Sequence, residues 1–349
     1  MRLGLSMGYV LGDNVHDYVA LAQEADRLGY SVAWASEAYG SDSPTVLSYL
    51  AAKTNRIHIG SAIMQIPART PAMTAMTAAT LDLLSGGRFR LGLGVSGPQV
   101  SEGWHGVRFD KPLARTREYV DVVRQALAGD TVRYRGEFFT LPLPDGPGKA
   151  LKLTIRPARA RVPLYLAAVG PKSLELAGAI ADGWLAIFFS PEHAAQAMTS
   201  INLGRRRRGQ EEQAFDISAT VPVSIGDDVE ACADAIRAYT ALYVGGMGSR
   251  TQNFYNQLAS RMGFEAGARQ IQDLFLAGKH RAAQAAVPHD LIDQTSLLGS
   301  KERVVERLQA FAEAGVTTLT VAIFESELSA RVHTLRQVSQ AVEAAGVAT

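Results

Sequence analysis

The sequence predicts an α/β protein folded as a single (β/α)8 TIM barrel that spans residues 1–349. Short, apolar, β-rich runs alternate with longer amphipathic helical patterns along the chain, and this alternation gives eight strand-then-helix units. The strand runs are almost continuously apolar, which is typical of parallel strands that are covered by helices. Because no linker-like stretch divides the chain, we expect one domain, and eight units fit a closed barrel better than an open sheet.

The units follow one another with clear helix-start signals. Ser43 is expected as the N-cap of the second helix, and Thr70-Pro71 opens the third. The expected strands are residues 2–7, 31–36, 56–66, 88–96, 162–170, 182–189, 215–225 and 317–324. The expected helices are residues 15–29, 43–54, 70–87, 114–129, 171–181, 190–208, 228–244, 300–315 and 329–346.

Three excursions interrupt the alternation, at 97–113 after the fourth strand, at 131–157, and at 245–298 between the seventh and eighth units. The segment 131–157 is typical of a β-hairpin with the Pro/Gly-rich stretch LPLPDGPGKA at its tip. The segment 245–298 is mostly helical, and we expect it to cover the barrel mouth. Its larger apolar residues suit either the lining of a substrate cavity or a helical core: Phe254, Tyr255, Met262, Phe264 and Phe275.

Composition excludes several classes of protein. The formal net charge is +1, with 20% charged and 47% hydrophobic residues, which gives no sign of nucleic-acid or membrane-surface binding. No apolar window is long enough for a membrane span, and the first residues do not resemble a signal peptide. Cys232 is the single cysteine, so no intrachain disulfide can form, and its helical pattern predicts a buried, inert thiol. We therefore expect a soluble, cytoplasmic protein.

The stretch GLGVSG at 92–97 matches the dinucleotide fingerprint G-x-G-x-x-G. That fingerprint belongs in the first βα turn of a Rossmann sheet, whereas three complete units precede this match and Pro98 follows it. A Rossmann site therefore remains the weaker alternative. In a barrel, Gly94 would let a flat ligand approach the end of the fourth strand, and Ser96 and Gly97 would stand at the mouth.

Two charged clusters carry little information by themselves. Glu102 and His105 are spaced like a pair of metal ligands, but no third ligand has compatible spacing, so we predict no metal site. The run 205–208, four consecutive arginines, suits a solvated helix end or a docking site for a polyanionic ligand tail.

Three longer stretches carry a resemblance to a known family. They are LDLLSGGRFRLGLGVSG (81–97), RIHIGSAIMQIPARTPAMTAMTAATLD (56–82) and GPQVSEGWHG (97–106). With them the chain resembles the bacterial-luciferase-like superfamily, on the branch that uses coenzyme F420. Methylenetetrahydromethanopterin reductase and F420-dependent glucose-6-phosphate dehydrogenase belong to that branch.

The resemblance implies a cofactor site at the mouth. It places a non-prolyl cis peptide at Ala62-Ile63, where Ile63 would press on the back of the deazaflavin ring. The turn after the fifth strand would hold the cofactor phosphate, and its chemistry is also independent of the family: a Gly-Pro turn that opens a helix presents free N–H groups to an anion. A plain βα turn is the alternative. The residues expected to bind cofactor are Ser36, Ala62, Ile63, Met64, Gly94, Ser96, Gly97, Val169, Gly170, Pro171 and Lys172.

The resemblance also bears on proton transfer. In F420-dependent relatives the second strand ends in an acidic residue followed by histidine, and here Glu37 matches the acid while Ala38 replaces the histidine. Glu37 is the first candidate for the proton donor or acceptor, since partial burial would suit a glutamate for acid–base work. Tyr39 and His105 are the other candidates, and a solvated loop acid is the alternative for Glu37.

The expected function is transfer of a hydride between C5 of coenzyme F420 and a small organic substrate. The alternative on the same fold is an FMN-dependent monooxygenase that uses reduced flavin and O2, because both cofactors occupy the same pocket in the superfamily. A barrel that only binds a flavin-like ligand is a third hypothesis. Relatives commonly assemble, so we expect a homodimer or homotetramer, with no nucleic-acid or membrane partner.

Overall fold

Eight parallel strands close into a barrel, which confirms the predicted (β/α)8 fold. The computed structural model describes residues 1–10, 15–209 and 211–349. Closure follows from the pairing order β10-β12-β1-β2-β3-β5-β8-β9, because β9 pairs with β10 again. The strands, with the shorter ones outside the ring, are β1 (Arg2–Gly8), β2 (Val32–Ala35), β3 (His58–Ser61), β4 (Met64–Gln65), β5 (Phe89–Gly94), β6 (Tyr134–Arg135), β7 (Thr140–Leu141), β8 (Leu164–Ala167), β9 (Gly183–Ile187), β10 (Asp216–Ile225), β11 (Leu297–Gly299) and β12 (Thr318–Ile323).

Helices cover the outer face of the barrel, and their amphipathic patterns bury one face against the strands. Their bounds are α1 (Val15–Arg27), α2 (Ser43–Lys53), α3 (Pro71–Leu84), α4 (Pro98–Gly103), α5 (Pro112–Leu127), α6 (Pro171–Ile180), α7 (Ala194–Arg207), α8 (Val229–Ala241), α9 (Phe254–Ala259), α10 (Glu265–Leu276), α11 (His280–Ala285), α12 (His289–Gln294), α13 (Lys301–Glu313) and α14 (Leu328–Ala344).

The N-cap of α2 is Asp42, so the expectation that Ser43 caps this helix is wrong. The Asp42 carboxylate accepts a hydrogen bond from the backbone N of Thr45 at 2.9 Å. Ser43 is instead buried in the first turn. The carboxylate one residue earlier reaches the free N–H groups better, because an N-cap side chain bonds two or three residues ahead.

The predicted third strand, 56–66, is divided in two. β3 ends at Ser61, the Ala62-Ile63 peptide is cis as predicted, and β4 then pairs with β5 through Met64↔Leu93 and Gln65↔Gly94. The interruption turns the chain at the carboxyl edge of the barrel. It places Ile63 inside the ring of strands and Gln65 next to the end of β5.

The segment 131–157 contains a smaller hairpin than the sequence predicts. β6 and β7 pair antiparallel around the short turn 136–139, and the Glu118 carboxylate holds this turn through the backbone N–H groups of Glu137 and Phe138. The predicted tip at 141–150 therefore begins inside β7 and continues beyond the hairpin. Its prolines explain the difference, since proline cannot donate to a strand ladder.

The segment 245–298 builds a helical cap with α8. Apolar side chains of α8 through α12 form a cluster of their own, separate from the main core, and that cluster includes Cys232, Ile236, Met262, Ile271 and Leu291. A short strand that the sequence did not predict, β11, ties the cap to β10 by parallel pairing from Val223↔Leu297 to Ile225↔Gly299. The helix that covers the barrel between its seventh and eighth strands is α13, whose buried side chains join the main core.

Inside the ring, Val32, Trp34, Tyr165 and Leu185 form the central packing, with Ile63 on top of them. The Trp34 and Tyr165 rings meet edge to face at 5.2 Å. The glycine at 60 makes room for Trp34, and the glycine at 92 makes room for the Ser61 backbone and for Leu185. A Cβ at 60 would lie 2.3 Å from the Trp34 ring, and one at 92 would lie 1.9 Å from the Ser61 carbonyl oxygen.

A charge network closes the amino-terminal end of the barrel. The buried Asp216 carboxylate accepts hydrogen bonds from the hydroxyls of Tyr165 (2.9 Å) and Thr318 (2.8 Å). It also pairs with Arg2 at 3.0 Å and with the buried Arg90 at 3.3 Å. Five strands thus contribute to one satisfied network, in the place where barrels carry stabilising rather than catalytic groups.

Candidate functional site

A buried carboxylate organises the opposite, carboxyl end of the barrel. Glu37 follows β2, and its side chain is 7% exposed. Its two oxygens accept two hydrogen bonds from the Arg69 guanidinium, at 2.6 and 2.8 Å, and two from the backbone N–H groups of Ser43 (3.0 Å) and Gln65 (3.1 Å). Hydrogen bonds of a carboxylate to a guanidinium are charge-assisted and hold both groups in a fixed geometry. The role in proton transfer that the sequence predicts for Glu37 stays a prediction.

Gln65 joins the end of β4 to the loop after β5. Its Oε1 lies 2.8 Å from Nε2 of His105, and its Nε2 donates to the Ser96 hydroxyl at 3.1 Å. Two of the predicted site residues, His105 and Ser96, therefore meet on a third residue that sequence reasoning did not select. Ser96 has φ +60°, so the chain turns sharply where β5 ends.

Ile63 and Gly94 form the floor of the mouth. A Cβ at position 94 would lie 2.6 Å from Cδ1 of Ile63, so the glycine lets Ile63 keep its position above the barrel interior. Ala62 packs beside Ile63 on the central side chains. Met64 points the other way, and its side chain is fully buried in the core between strands and helices. The contact with cofactor expected of Met64 stays a prediction.

Other predicted residues stand at the rim. Ser36 is half-buried at the end of β2, and its N–H donates to the Gly8 carbonyl. Tyr39 is 64% exposed. Gly97 leads into α4, and a Cβ there would meet one side-chain oxygen at 3.3 Å, which leaves the backbone open to close approach. In the part of the chain that the structure describes, no hydrogen bond joins Ser36, Tyr39 and Gly97 to one another.

The turn 169–172 opens α6 as predicted, with Gly170 as N-cap and Pro171 next to it. The Ser173 hydroxyl bonds both the N–H and the carbonyl of Gly170, at 3.0 and 2.8 Å. Lys172 and Pro171 are exposed. Within 1–10, 15–209 and 211–349, the backbone N–H groups of Lys172 and Ser173 find no partner, so both remain free for an anion.

A cavity of about 270 Å³ lies beside this turn, between α6, α7 and the helical cap. Arg261 from the cap lines it and donates to the Val169 carbonyl at 3.1 Å. Burial lowers the pKa of Arg261 only from a very high value, so the guanidinium keeps its charge at neutral pH. By contrast, the arginine run 205–208 sits at the carboxyl end of α7, which faces the amino-terminal end of the barrel, and Arg207 pairs with Glu175.

An aromatic wall stands on the other side of the mouth. Phe188, which follows β9, stacks on Tyr239 at 5.5 Å and also contacts Tyr243 and Tyr255. Burial raises the pKa of Tyr255 to about 12, so its hydroxyl stays protonated. Phe324 extends the wall against Tyr239.

Some of the larger apolar residues of the cap lie at the mouth, as the lining of a substrate cavity would, and others pack in a helical core. Tyr255 belongs to the wall, and Phe254 contacts Phe109 of the loop after β5 at 6.3 Å, so the two excursions meet across the mouth. Met262, Phe264 and Phe275 pack in the helical cluster of the cap, as a helical core requires.

Sequence reasoning missed Gln65, Arg69 and Arg261. Gln65 did carry a signal, because it is the polar residue in the apolar run AIMQI directly after the cis peptide. Arg69 carried a weaker one, as a charge one residue before the cap of α3. Arg261 lies in an ordinary amphipathic helix pattern, and its position beside Val169 depends on contacts between segments 92 residues apart.

Within the described ranges, no group of three His, Cys, Asp or Glu side chains is arranged to hold a metal ion. The helices of the same ranges include none with the length and apolar character that crossing a membrane requires.

The fold and this mouth define the class of protein. A sequence profile of the luciferase-like monooxygenase family matches residues 2–318, and the chain belongs to that family. A putative coenzyme F420-dependent oxidoreductase of Mycobacterium tuberculosis is 41% identical over 94% of this chain and 96% of its own length. The 5,10-methylenetetrahydromethanopterin reductase of Archaeoglobus fulgidus is 30% identical over 86% of each chain. The solved structure of the coenzyme F420-dependent tetrahydromethanopterin reductase from Methanopyrus kandleri superposes with a TM-score of 0.83, covers 98% of each chain and is 25% identical.

Proposed function

We propose that this protein is an oxidoreductase that uses coenzyme F420 to exchange a hydride with a small organic substrate. The observation that carries the proposal is the floor of the mouth, where the cis Ala62-Ile63 bulge lies over Gly94. A side chain at position 94 would press on Ile63, so the glycine leaves Ile63 in place as an apolar floor at the carboxyl end of the barrel. The full-length relative at 41% identity, named as F420-dependent, supports this cofactor.

The residues present fit a planar ring that carries an anionic tail. Ile63 offers an apolar surface, and the glycines at 94 and 97 leave the backbone accessible. The free N–H groups at the start of α6 suit a phosphate, and Arg261 in the adjoining cavity supplies a cation for an acidic tail. The ring would supply the two-electron chemistry, and the protein supplies orientation and a proton.

The chain's own residues divide the remaining work. Glu37, held by Arg69, fixes the backbone at Ser43 and Gln65 and so positions both rims of the mouth. His105 is the proposed proton acceptor or donor, because its ring is half-buried and hydrogen-bonded at the mouth. Tyr39, which is exposed in the loop after β2, is the second candidate.

Titration of the purified, cofactor-free protein tests the proposal. Added F420 is expected to bind with a dissociation constant in the micromolar range, seen as a change in its fluorescence, while FMN added under the same conditions does not bind. Turnover is then measured with reduced F420 and a panel of ketones, enones and imines. Binding of FMN without binding of F420 would instead support the flavin-dependent monooxygenase.

We also propose that the chain assembles as a homodimer through α3. The outward face of this helix exposes Met73, Met76, Leu83 and Leu84, and the one charged residue of α3, Asp82, is buried against Arg159. A charge-free apolar helix face is unusual on a monomer surface. Light scattering should give twice the chain mass for the wild type and the chain mass for Met76→Glu. A wild-type mass equal to one chain rejects the dimer.

The proposed location is the cytoplasm, which rests on the single cysteine and on the composition of the sequence.

A further inference from the structure

Gln65 links three elements of the mouth through its backbone and its side chain, although nothing in its residue type suggests chemistry. It is 2% exposed, and it bonds to three different elements around the opening. Its backbone N–H donates to Glu37 after β2, its amide nitrogen to Ser96 after β5, and its amide oxygen contacts His105 beyond α4. A residue with these bonds can set how a neighbouring group holds its proton.

The chemistry of the amide decides which nitrogen of His105 carries hydrogen. An amide oxygen only accepts, so the 2.8 Å contact requires an N–H on Nε2 of His105. In the neutral ring the lone pair then lies on Nδ1. In this orientation the NH2 group of Gln65 donates to the Ser96 hydroxyl at 3.1 Å.

We propose that Gln65 is a positioning residue that holds His105 in its Nε2–H form and leaves Nδ1 as the nitrogen that exchanges a proton with the substrate. The second half of this statement rests on the proposed function. When a substrate alcohol is oxidised, its carbon gives an electron pair with one hydrogen to the cofactor, and its O–H proton passes to Nδ1. The ring is then a cation that keeps its Nε2–H on Gln65, and reduction of a carbonyl returns the proton from Nδ1.

A glutamine suits this task better than a carboxylate. Its amide is neutral at every accessible pH, so it fixes the ring without adding a charge that would retain the proton on His105. The Glu37 carboxylate, which accepts from the Gln65 N–H, is also bonded to Arg69 and to the backbone N–H of Ser43. Gln65 therefore separates that charge from the ring while it connects the two through its own backbone.

Nuclear magnetic resonance of the cofactor-free protein, with 15N-labelled histidine, tests the first half directly. The wild type is expected to show one protected ring N–H signal at Nε2 that disappears in His105→Asn. In Gln65→Met, which lacks the acceptor, the exchange of that proton with water should accelerate at least about tenfold. Gln65→Glu keeps an acceptor and should retain the signal. Gln99→Met, an exposed glutamine in α4, is the matched control and should leave the signal unchanged.

Two outcomes overturn the assignment: a wild-type signal on Nδ1 instead of Nε2, or equal exchange in the wild type and in Gln65→Met. Because the first of these outcomes is measured on the wild type, the proposal can be rejected even if a Gln65 variant fails to fold.

Kinetics test the second half. Gln65→Met should lower kcat at least about tenfold while KM and the F420 dissociation constant stay within about twofold, because the ring loses its orientation and not its place. An unchanged kcat overturns the proton role of Nδ1. Failure of the wild type to bind F420 rejects the proposed function instead, and leaves the resonance result on Nε2 standing by itself.

Discussion

Each end of the barrel holds a buried carboxylate paired with arginine, and the two carboxylates bond to different kinds of partner. At the amino-terminal end, Asp216 is bonded by the side chains of Arg2, Arg90, Tyr165 and two threonines. At the carboxyl end, Glu37 is bonded by Arg69 and by the main chain of two loops. The first arrangement fills and closes the barrel, whereas the second determines the path of the backbone around the site.

Because of this difference, we expect Asp216 to affect mainly the stability of the fold and Glu37 to affect mainly the site. Loss of Asp216 leaves the charge of Arg90 inside the protein, but the loops at the other end keep their partners. Loss of Glu37 frees the N–H groups of Ser43 and Gln65, so the rim of the mouth moves even when the fold survives.

The largest expected effect is that of Asp216→Ala. It leaves the guanidinium of Arg90, which is 8% exposed, without its carboxylate, and breaking a buried pair in this way costs about 3–5 kcal/mol of the free energy of unfolding. Urea denaturation measures the loss. F420 affinity of the folded fraction should stay within about twofold. Asp234→Ala, at an exposed carboxylate on α8, is the control and should cost less than about 0.5 kcal/mol.

Glu37→Gln is expected to lower the free energy of unfolding less than Asp216→Ala does, and to weaken F420 binding more. The lost charge-assisted bonds are worth about 1.5–3 kcal/mol, and F420 affinity should fall at least about tenfold because the loop at 37–43 and the Gln65 backbone lose their anchor. Calorimetric unfolding and fluorescence titration give the two numbers, with Glu265→Gln on the exposed face of α10 as control. Equal F420 affinities for Glu37→Gln and Asp216→Ala would remove the contrast between the two ends.

A pH effect is expected at the amino-terminal end, from His58. Burial, with the nearby charge of Arg90 as the second cause, lowers the pKa of His58 to about 4. Between pH 6.5 and 4, His58 is therefore protonated in the unfolded chain and neutral in the folded chain. Because the unfolded state binds the extra proton, the contribution of His58 to stability is fully present above pH 6.5 and is lost as the pH falls through this window. His58→Gln should flatten the fall in the melting temperature, whereas His16→Gln, at an exposed position on α1, should not. Parallel curves for the wild type and His58→Gln would contradict the assignment.

The smallest effect on stability is expected for Gly94→Ala. The new methyl group would lie 2.6 Å from Cδ1 of Ile63, and a shift of Ile63 costs about 1 kcal/mol. The same shift disturbs the floor, so F420 affinity should fall while thermal unfolding changes little. Gly103→Ala places its methyl group in open space and serves as the matched control. Unaltered F420 affinity in Gly94→Ala would show that Ile63 does not contact the ring.

The sequence predicts features that depend on neighbouring residues better than features that depend on contacts between distant segments. The barrel, the helices and the cis Ala62-Ile63 bond depend on local patterns and on a run of residues with a strong family resemblance. The cap of α2 was misassigned by one residue, since Asp42 and Ser43 are both good N-caps and only the geometry of the first turn decides between them. The partners Glu37–Arg69 and Gln65–His105 are 32 and 40 residues apart, and neither pairing has a signal in periodicity or spacing.

The pairing of β10 with the cap strand β11 limits how the cap of such a barrel can be exchanged when substrate choice changes. The strand is ten residues long and pairs with β9, β12 and, at its last three residues, β11. Main-chain bonds thus join the helical cap to the sheet at β11, and the Arg261 side chain bonds the cap to the turn after β8. Exchange of residues between α9 and α12 could alter substrate choice in a single evolutionary step, provided that the three residues of β11 stay in register. Grafting the cap of a relative onto this chain should therefore succeed only when the graft ends before residue 297.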